Sequence, residues 1–299
     1  MNNEKFILYF NESKSLALNL GLKTGVKAFP LEILNYSFGE FTVQLPEVPA
    51  HGDVYFVIQN NGTPADLLVR VLMTIDALEN TKPRRVNLII PYLPFSRQDR
   101  KKADNRAVAS RVLADLFNTG YVSNLYTFDL HNAVITDYFK MPVYNLTMLD
   151  TFVHYFQQLA LEDVVIVAPD YGRFNAAKYV ANAFKGASFV LINKFRDEKN
   201  QVRVSSIEGD TKDKTALIIE DIIDTGNTLV SAVNALKEQG VKAIYVAATH
   251  GVFSANALKR IESLGIKKVI VTNTIPHDIV DPLVEVLPIE DHLISIIND

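Results

Sequence analysis

The residues best suited to chemistry lie where a strand-like apolar run passes into a helix-like segment, between positions 217 and 231. The segment contains two adjacent acids and then a short polar turn, namely Glu220, Asp221, Asp224, Thr225, Gly226, Asn227 and Thr228. Backbone N–H groups of such a turn, together with the N-terminus of the next helix, converge on one point and favour a phosphate there. The neighbouring acids would repel phosphate and suit ribose hydroxyls or Mg²⁺ better. An isolated turn of this composition also occurs where Asp and Thr only cap a helix, and both interpretations stay open at this point.

Polar side chains also follow three strand-like runs nearer the N-terminus. The first group consists of Arg97, Gln98, Asp99 and Arg100. Arginine guanidinium groups bind polyphosphates and stack on aromatic bases, although a solvated basic loop has the same composition. His131 and Asp170 each follow the end of a predicted strand. A neutral imidazole and a carboxylate can share one hydrated Mg²⁺ that bridges phosphates, although a lone histidine is more often a satisfied polar residue.

Short apolar runs alternate with segments of helical period along the whole chain, which is typical of parallel α/β sheets. Predicted strands include residues 164–168, 216–220 and 268–272, and a helix is predicted from a capping Thr228 to Gln239. Two halves of similar plan meet near position 147, and each ends one strand in a polar residue and a histidine. We therefore expect two related domains over 1–147 and 148–275, and a C-terminal segment over 276–299 that packs back on them.

Composition is that of an ordinary globular protein. Of the 299 residues, 48% are apolar and 21% are charged, and the net charge is −4. Basic residues are dispersed apart from a group at 97–102, so no nucleic-acid partner is expected. The sequence contains no cysteine, which excludes disulfides and thiolate metal sites. It shows neither a signal-peptide pattern nor an apolar run long enough to span a membrane, so we expect a cytoplasmic protein without membrane partners.

The acids and turn at 220–228 resemble the phosphate loop of the phosphoribosyltransferase fold, in which the acids hold ribose hydroxyls and the turn holds a 5′-phosphate. Further segments in the same order narrow the resemblance to one family. Residues 92–100 resemble its arginine-glutamine-aspartate-arginine loop, 129–131 its aspartate-leucine-histidine, and 194–196 its lysine-x-arginine flap. The chain is identified as a divergent member of the ribose-phosphate pyrophosphokinase (PRPP synthetase) family over nearly its whole length.

This resemblance implies an α/β protein with two type I phosphoribosyltransferase-like domains, each with a parallel sheet and related by duplication. The first domain would form the ATP side, and the second would carry the acceptor phosphate loop. The implied reaction transfers the β,γ-diphosphoryl group of ATP to the C1 hydroxyl of ribose 5-phosphate, with Mg²⁺ as cofactor and ATP as co-substrate. The family also implies a homo-oligomer, a dimer or a hexamer, in which a neighbouring subunit completes the adenine site.

Residue roles follow from the same resemblance. Lys194 and Arg196 are the expected catalytic residues on a flap, and His131 and Asp170 the expected metal ligands. ATP is expected to contact Tyr36, Glu40, Arg97, Gln98, Asp99 and His131. The acceptor is expected to contact Asp170, Glu220, Asp221, Asp224, Thr225, Gly226, Asn227 and Thr228.

Some binding positions depart from the family pattern. Phe38 stands where the adenine segment usually has a polar residue, and Asn227 stands where the phosphate turn usually has a second glycine. The stretch after Asp170 normally begins with two glycines, with an arginine soon after, whereas this chain has Tyr171, Gly172 and Arg173. The changes at Asn227 and Arg173 motivate an alternative in which the same diphosphoryl group goes to a larger ribose 5-phosphoester such as ADP-ribose. A non-catalytic regulatory homologue is a further alternative, but it would be expected to lose the flap that this chain keeps.

Overall fold

The computed structural model of the protein describes residues 4–47, 51–101, 103, 105–196 and 202–299, except for the side chains at 195, 196, 202 and 203. The strands, in chain order, are β1 (Lys5–Tyr9), β2 (Lys27–Pro30), β3 (Glu32–Asn35), β4 (Phe41–Gln44), β5 (Asp53–Val57), β6 (Arg85–Ile89), β7 (Asn124–Phe128), β8 (Val143–Leu146), β9 (Val164–Ala168), β10 (Ser188–Arg196), β11 (Val202–Glu208), β12 (Thr215–Ile223), β13 (Ala243–Gly251), β14 (Lys268–Thr272) and β15 (Val284–Leu287). The α-helices are α1 (Lys14–Thr24), α2 (Pro64–Thr81), α3 (Ala109–Phe117), α4 (Leu149–Gln158), α5 (Phe174–Ala183), α6 (Asn227–Glu238), α7 (Ala257–Glu262) and α8 (Glu290–Asn298). In the part of the chain described, no helix has the length and apolar character needed to cross a membrane.

The chain divides into two compact units. The first contains Met1–Leu146, Thr274–His277 and Pro288–Asp299, and the second contains Thr147–Asn273 and Asp278–Leu287. The C-terminal stretch contributes to both units. Its strand β15 pairs with β14 in the second unit, whereas α8 packs against α1 in the first, where Asn19 Nδ2 donates to Glu290 Oε1 at 2.9 Å.

The first unit is built on a six-stranded sheet in the order β2-β1-β5-β6-β7-β8, and every neighbouring pair is parallel. All residues of the central strand β5 are buried, as expected for a parallel sheet covered by helices on both faces. On one face, Phe56 and Leu88 of the sheet share an apolar core with Val71 of α2 and Leu113 of α3. The strands β3 and β4 form a separate antiparallel hairpin.

The second unit has a seven-stranded sheet in the order β11-β10-β9-β12-β13-β14-β15. Only β11 is antiparallel to its neighbour, and it extends the edge of the sheet. Apart from β11, the two sheets have the same strand order. When the strands of each sheet are numbered along the chain from one to six, the order across the sheet is 2-1-3-4-5-6 in both units. This shared order confirms the predicted fold class, two parallel α/β domains related by duplication. Because parallel strands end at the same edge of a sheet, the carboxyl ends of β9, β10 and β12 lie along one edge.

A buried carboxylate stabilises the core of the first unit. Asp53 begins β5 and is fully buried, and its carboxylate accepts hydrogen bonds from both Arg84 and Arg85. Burial alone would raise the pKa of Asp53, but the hydrogen bonds from the two arginines outweigh it and lower the pKa below the ordinary value. A carboxyl group whose pKa falls on folding stabilises the fold above its unfolded pKa, and this contribution is lost as the pH falls through the folded pKa.

Replacing Asp53 with asparagine is therefore expected to lower the free energy of unfolding at pH 7 by about 1–2 kcal/mol. The value is modest for a buried carboxylate because the side chains of Arg84 and Arg85 remain 40% and 39% exposed. Urea unfolding of wild type and Asp53→Asn at several pH values measures the effect, with Glu79→Gln on the exposed face of α2 as the control. The difference from wild type should shrink as the pH falls below about 4, and a difference independent of pH would contradict this account.

Candidate active site

The predicted phosphate turn lies in the second unit, between β12 and α6. The strand is buried along nearly all of its nine residues and ends at Ile223, and the helix begins at Asn227. Gly226 precedes the helix with a φ of 76°, a left-handed conformation that glycine adopts without strain. No side chain caps this helix, so the prediction that Thr228 is its capping residue is wrong. The first N–H groups of an α-helix have no partner within the helix, which suits the segment from Gly226 to Thr228 to an anion.

The two acids that precede the turn are both buried. Glu220 is 8% exposed and Asp221 is 5% exposed, at the carboxyl end of β12. Arg173, whose side chain is 13% exposed, places Nη1 at 3.6 Å from Asp221 Oδ2. Burial raises the pKa of Glu220 well above its ordinary value, and the nearby charges of Asp221 and Asp170 act in the same direction. Asp221 therefore forms an ion pair with Arg173. The carboxyl group of Glu220, in contrast, favours its neutral form.

Lys194 lies close to both the acids and the phosphate turn. It belongs to β10, is half-buried, and its Nζ donates a hydrogen bond to the Thr228 carbonyl oxygen at 3.2 Å. Burial lowers the pKa of Lys194, whereas the charges of Glu220 and Asp170 oppose that change. The backbone of Arg196 lies in the same strand, and its side chain is outside the described residues. The structure thus brings the predicted flap lysine to the predicted acceptor loop.

Asp170 follows β9 and precedes a 3₁₀ turn at Tyr171–Arg173. It belongs to the second unit, whereas His131 is an exposed residue of the first, so their sharing of one ion stays a prediction. Over the described ranges, no group of three or more His, Cys, Asp or Glu side chains forms a ready metal cage. Mg²⁺ usually takes only one or two protein carboxylates and completes its shell with water and substrate phosphates. The acids of this site therefore suit Mg²⁺ that arrives with a nucleotide.

In the first unit, the buried Asp99 anchors the predicted arginine loop at 97–100. Arg97 and Gln98 are exposed, whereas Asp99 is buried, and its Oδ2 accepts a hydrogen bond from Asn132 Nδ2 at 2.7 Å. Asn132 follows His131 directly, so this contact links the two loops within one unit. A cavity of about 400 Å³ is lined by Gln98, Arg100, Arg106 and Ala107. Its size and two guanidinium groups suit the phosphates of a nucleotide.

The predicted adenine segment is the tip of the β3–β4 hairpin. The Tyr36 N–H donates to the Glu40 carbonyl oxygen at 2.7 Å, which closes the turn. Phe38 between them is fully exposed and has a φ of 61°, which is unusual for a bulky residue. Contact of Tyr36 and Glu40 with a base stays a prediction.

Two contributors to the site were not predicted from the sequence. Arg173 was singled out only as a departure from a pattern, yet it provides the cation beside Asp221. Arg260 on α7 donates from Nη1 to the Thr225 carbonyl oxygen at 2.8 Å. The two residues of each pair lie far apart in the chain, and no local pattern signals such a contact.

The fold and the site define a class of protein: a duplicated α/β protein in which a central strand of the second unit carries two buried acids and leads into the predicted phosphate turn. Residues 6–120 match the family model "N-terminal domain of ribose phosphate pyrophosphokinase", and residues 165–289 match "Phosphoribosyl synthetase-associated domain". The chain belongs to the ribose-phosphate pyrophosphokinase family and is an enzyme of that family.

Individual relatives support this assignment. A ribose-phosphate pyrophosphokinase from Bacillus caldolyticus is 36% identical over 266 residues, which cover 89% of this chain and 84% of the relative. One from Corynebacterium ammoniagenes is 34% identical over 92% of this chain and 86% of its own length. The crystal structure of phosphoribosylpyrophosphate synthetase from Mycobacterium smegmatis superposes with a TM-score of 0.91 at 30% identity, and covers 99% of this chain and 98% of that one. The similarity therefore extends over both units.

Proposed function

We propose that this enzyme transfers the β,γ-diphosphoryl group of ATP to the C1 hydroxyl of ribose 5-phosphate and releases AMP. The observation that carries the proposal is the position of Lys194, whose Nζ donates a hydrogen bond to the Thr228 carbonyl oxygen of the phosphate turn. A phosphate turn and two acids alone would equally suit a transferase that consumes the 1-diphosphate. A lysine at the same point supplies the cation that a diphosphoryl transfer requires.

The acceptor is bound by the second unit. The turn Asp224–Thr228 holds the 5′-phosphate through backbone N–H groups and threonine hydroxyls, and Glu220 and Asp221 accept hydrogen bonds from the ribose hydroxyls. The C1 oxygen attacks the β-phosphorus, a new C1–O–Pβ linkage forms, and the bond from Pβ to the oxygen shared with Pα breaks. That oxygen leaves on AMP, and the proton of the C1 hydroxyl is released.

Lys194 and Arg196 stabilise the negative charge that develops on the transferring phosphoryl oxygens. Arg97, Gln98 and Asp99 form the ATP side, with Tyr36 and Glu40 at the base. His131 and Asp170 are the residues predicted to hold Mg²⁺, which would supply positive charge to the phosphates. We further propose a homo-oligomer, a dimer or a hexamer, and a role in nucleotide biosynthesis as a source of activated ribose phosphate.

An acceptor assay tests this proposal. Purified protein with Mg·ATP and ribose 5-phosphate is expected to release AMP and a ribose 1-diphosphate in equal amounts, whereas ribose without a 5′-phosphate is expected to give no AMP. ADP-ribose in a parallel reaction tests the larger acceptor suggested by Asn227 and Arg173. If AMP forms only with ADP-ribose, then ADP-ribose replaces ribose 5-phosphate as the proposed acceptor. If no AMP forms with either compound, diphosphoryl transfer is contradicted.

Gly226 offers a test of the phosphate turn. Gly226→Ala is expected to destabilise the fold by about 1 kcal/mol, because an alanine at this φ of 76° is strained. A Cβ would meet Ile261 Cγ1 at 3.6 Å, an ordinary contact, so the strain comes from the backbone. We expect the KM for ribose 5-phosphate to rise several-fold, since relaxation of the turn moves its N–H groups.

The matched control is Gly240→Ala, which lies just beyond the other end of α6 with a φ of 77°. It should show a similar shift in the urea midpoint but leave the KM for ribose 5-phosphate unchanged. If both variants changed this KM equally, the effect would be one of general stability and would contradict a phosphate-binding role for the turn.

A further inference from the structure

The segment after β13, residues 252–256, is hydrogen-bonded to the residues that lead into the phosphate turn. The N–H groups of Val252 and Phe253 both donate to the Ile223 carbonyl oxygen, at 2.8 and 3.0 Å. Ser254 Oγ donates to Asp224 Oδ1. In this segment Phe253, Ala255 and Asn256 have φ values of 49°, 49° and 62°, which non-glycine residues rarely adopt. Several strained residues persist only where surrounding contacts hold them in place, and here the contacts are those to the turn.

Arg260 makes further hydrogen bonds to the centre of the turn. Its Nη1 donates to the Thr225 carbonyl oxygen at 2.8 Å and lies 3.3 Å from Asn227 Oδ1. Arg260 belongs to α7, whose residues Ala257 and Ile261 also pack beside Gly226. A single guanidinium nitrogen therefore contacts the residues on both sides of the left-handed glycine.

The contact with the Thr225 carbonyl has a geometric consequence. The C=O and the N–H of one trans peptide point in opposite directions. Arg260 fixes the carbonyl of the peptide between Thr225 and Gly226 on the side of α7, so the N–H of Gly226 is directed to the opposite side. The hydrogen bond to Asn227 Oδ1 holds the side chain that departs from the family's glycine on the α7 side as well. Both effects keep the concave side of the turn available for an anion.

We propose that Arg260 is a positioning residue of the acceptor site: it holds the phosphate turn in its binding conformation through hydrogen bonds to the Thr225 carbonyl oxygen and to Asn227 Oδ1. This inference rests on the proposed function, because it assigns Arg260 to the affinity for the 5′-phosphate of the acceptor. Arg260 acts through the turn, so its loss should weaken acceptor binding without removing the chemistry at Lys194.

The test compares Arg260→Ala with Lys259→Ala, which removes the same charge from a neighbouring exposed position of α7. Among the described residues, Arg260 makes hydrogen bonds to the turn and Lys259 makes none. Arg260→Ala is expected to raise the KM for ribose 5-phosphate about tenfold or more, because a hydrogen bond from a charged donor is lost. The KM for ATP should stay within about twofold of wild type, kcat should fall much less than the acceptor affinity, and Lys259→Ala should behave as wild type. Arg260→Lys keeps the charge but not the guanidinium, so it is expected to recover part of the affinity.

Calorimetric binding of ribose 5-phosphate and of orthophosphate separates this inference from the catalytic proposal, since neither needs turnover. Weaker binding of both ligands by Arg260→Ala supports the positioning role even if the wild type releases no AMP. Binding equal to wild type would overturn it. An equal loss of ATP and acceptor affinity in Arg260→Ala and Arg260→Lys would also overturn it, because it would indicate general damage to the fold.

Discussion

Lys194→Ala is expected to lower kcat by about a hundredfold or more while changing the KM for ribose 5-phosphate far less. Charge develops on the phosphoryl oxygens only as the diphosphoryl group moves, so a cation aimed at them stabilises the transition state more than the bound substrates. Lys194 is half-buried, and its Nζ lies 3.2 Å from the Thr228 carbonyl oxygen, beside the proposed 5′-phosphate turn.

Steady-state release of AMP measures this effect, with Lys185→Ala, an exposed lysine of the same unit, as the control. Thermal unfolding of both variants shows whether the fold persists. A Lys194→Ala enzyme that keeps more than about half of the wild-type kcat would remove Lys194 from the mechanism. A rise in the KM for ribose 5-phosphate alone, with kcat intact, would make Lys194 a binding residue instead.

Asp221→Asn is the second large effect that we expect. The substitution keeps the size of the side chain but removes the anion that lies 3.6 Å from Arg173 Nη1 in a buried setting. Breaking one side of a buried ion pair leaves the other charge without compensation, and typically costs about 3 kcal/mol or more. The same substitution also replaces the carboxylate that accepts hydrogen bonds from the ribose hydroxyls by a weaker amide acceptor. The KM for ribose 5-phosphate should therefore rise about tenfold or more.

A double variant separates stability from function at this position. Arg173→Met combined with Asp221→Asn removes both charges, and replacing a whole buried pair is usually far less costly than breaking it. The double variant should recover much of the lost Tm but not the affinity for ribose 5-phosphate. Glu238→Gln on the exposed side of α6 controls for the loss of an acid. Full recovery of affinity in the double variant would contradict a binding role for Asp221.

The strands of the second unit were the most predictable part of the fold. Residues 164–168 are a continuous apolar run and 268–272 have an apolar centre, both are rich in β-branched residues, and they form β9 and β14 with the predicted bounds. The start of α6 was misassigned because Thr228 matches a capping pattern, whereas the helix begins after Gly226 in a left-handed conformation. The value of φ at a glycine is not encoded in the residues beside it, since glycine adopts both signs.

The first helix, α1, was not predicted because its pattern is weak. In α1, Leu16 and Leu20 are buried, but Leu18 and Leu22 are exposed, so leucines occupy both faces and blur the helical period. The central site residues were predicted through their local motifs, and the structure brings two of them, Lys194 and Thr228 of the turn, into contact. The contacts of Arg260 and Arg173 join residues from different elements, and only the folded chain brings them together.

The most direct measurement of the central claim is a ³¹P NMR time course of the reaction with Mg·ATP and ribose 5-phosphate. Transfer of the intact diphosphoryl group predicts that the loss of ATP is matched by AMP and by a 1-diphosphate linked to ribose 5-phosphate, with no orthophosphate. The Lys194→Ala enzyme should show the same products at a much lower rate. Formation of ADP with a monophosphorylated product, or of orthophosphate in proportion to ATP loss, would contradict the proposed reaction.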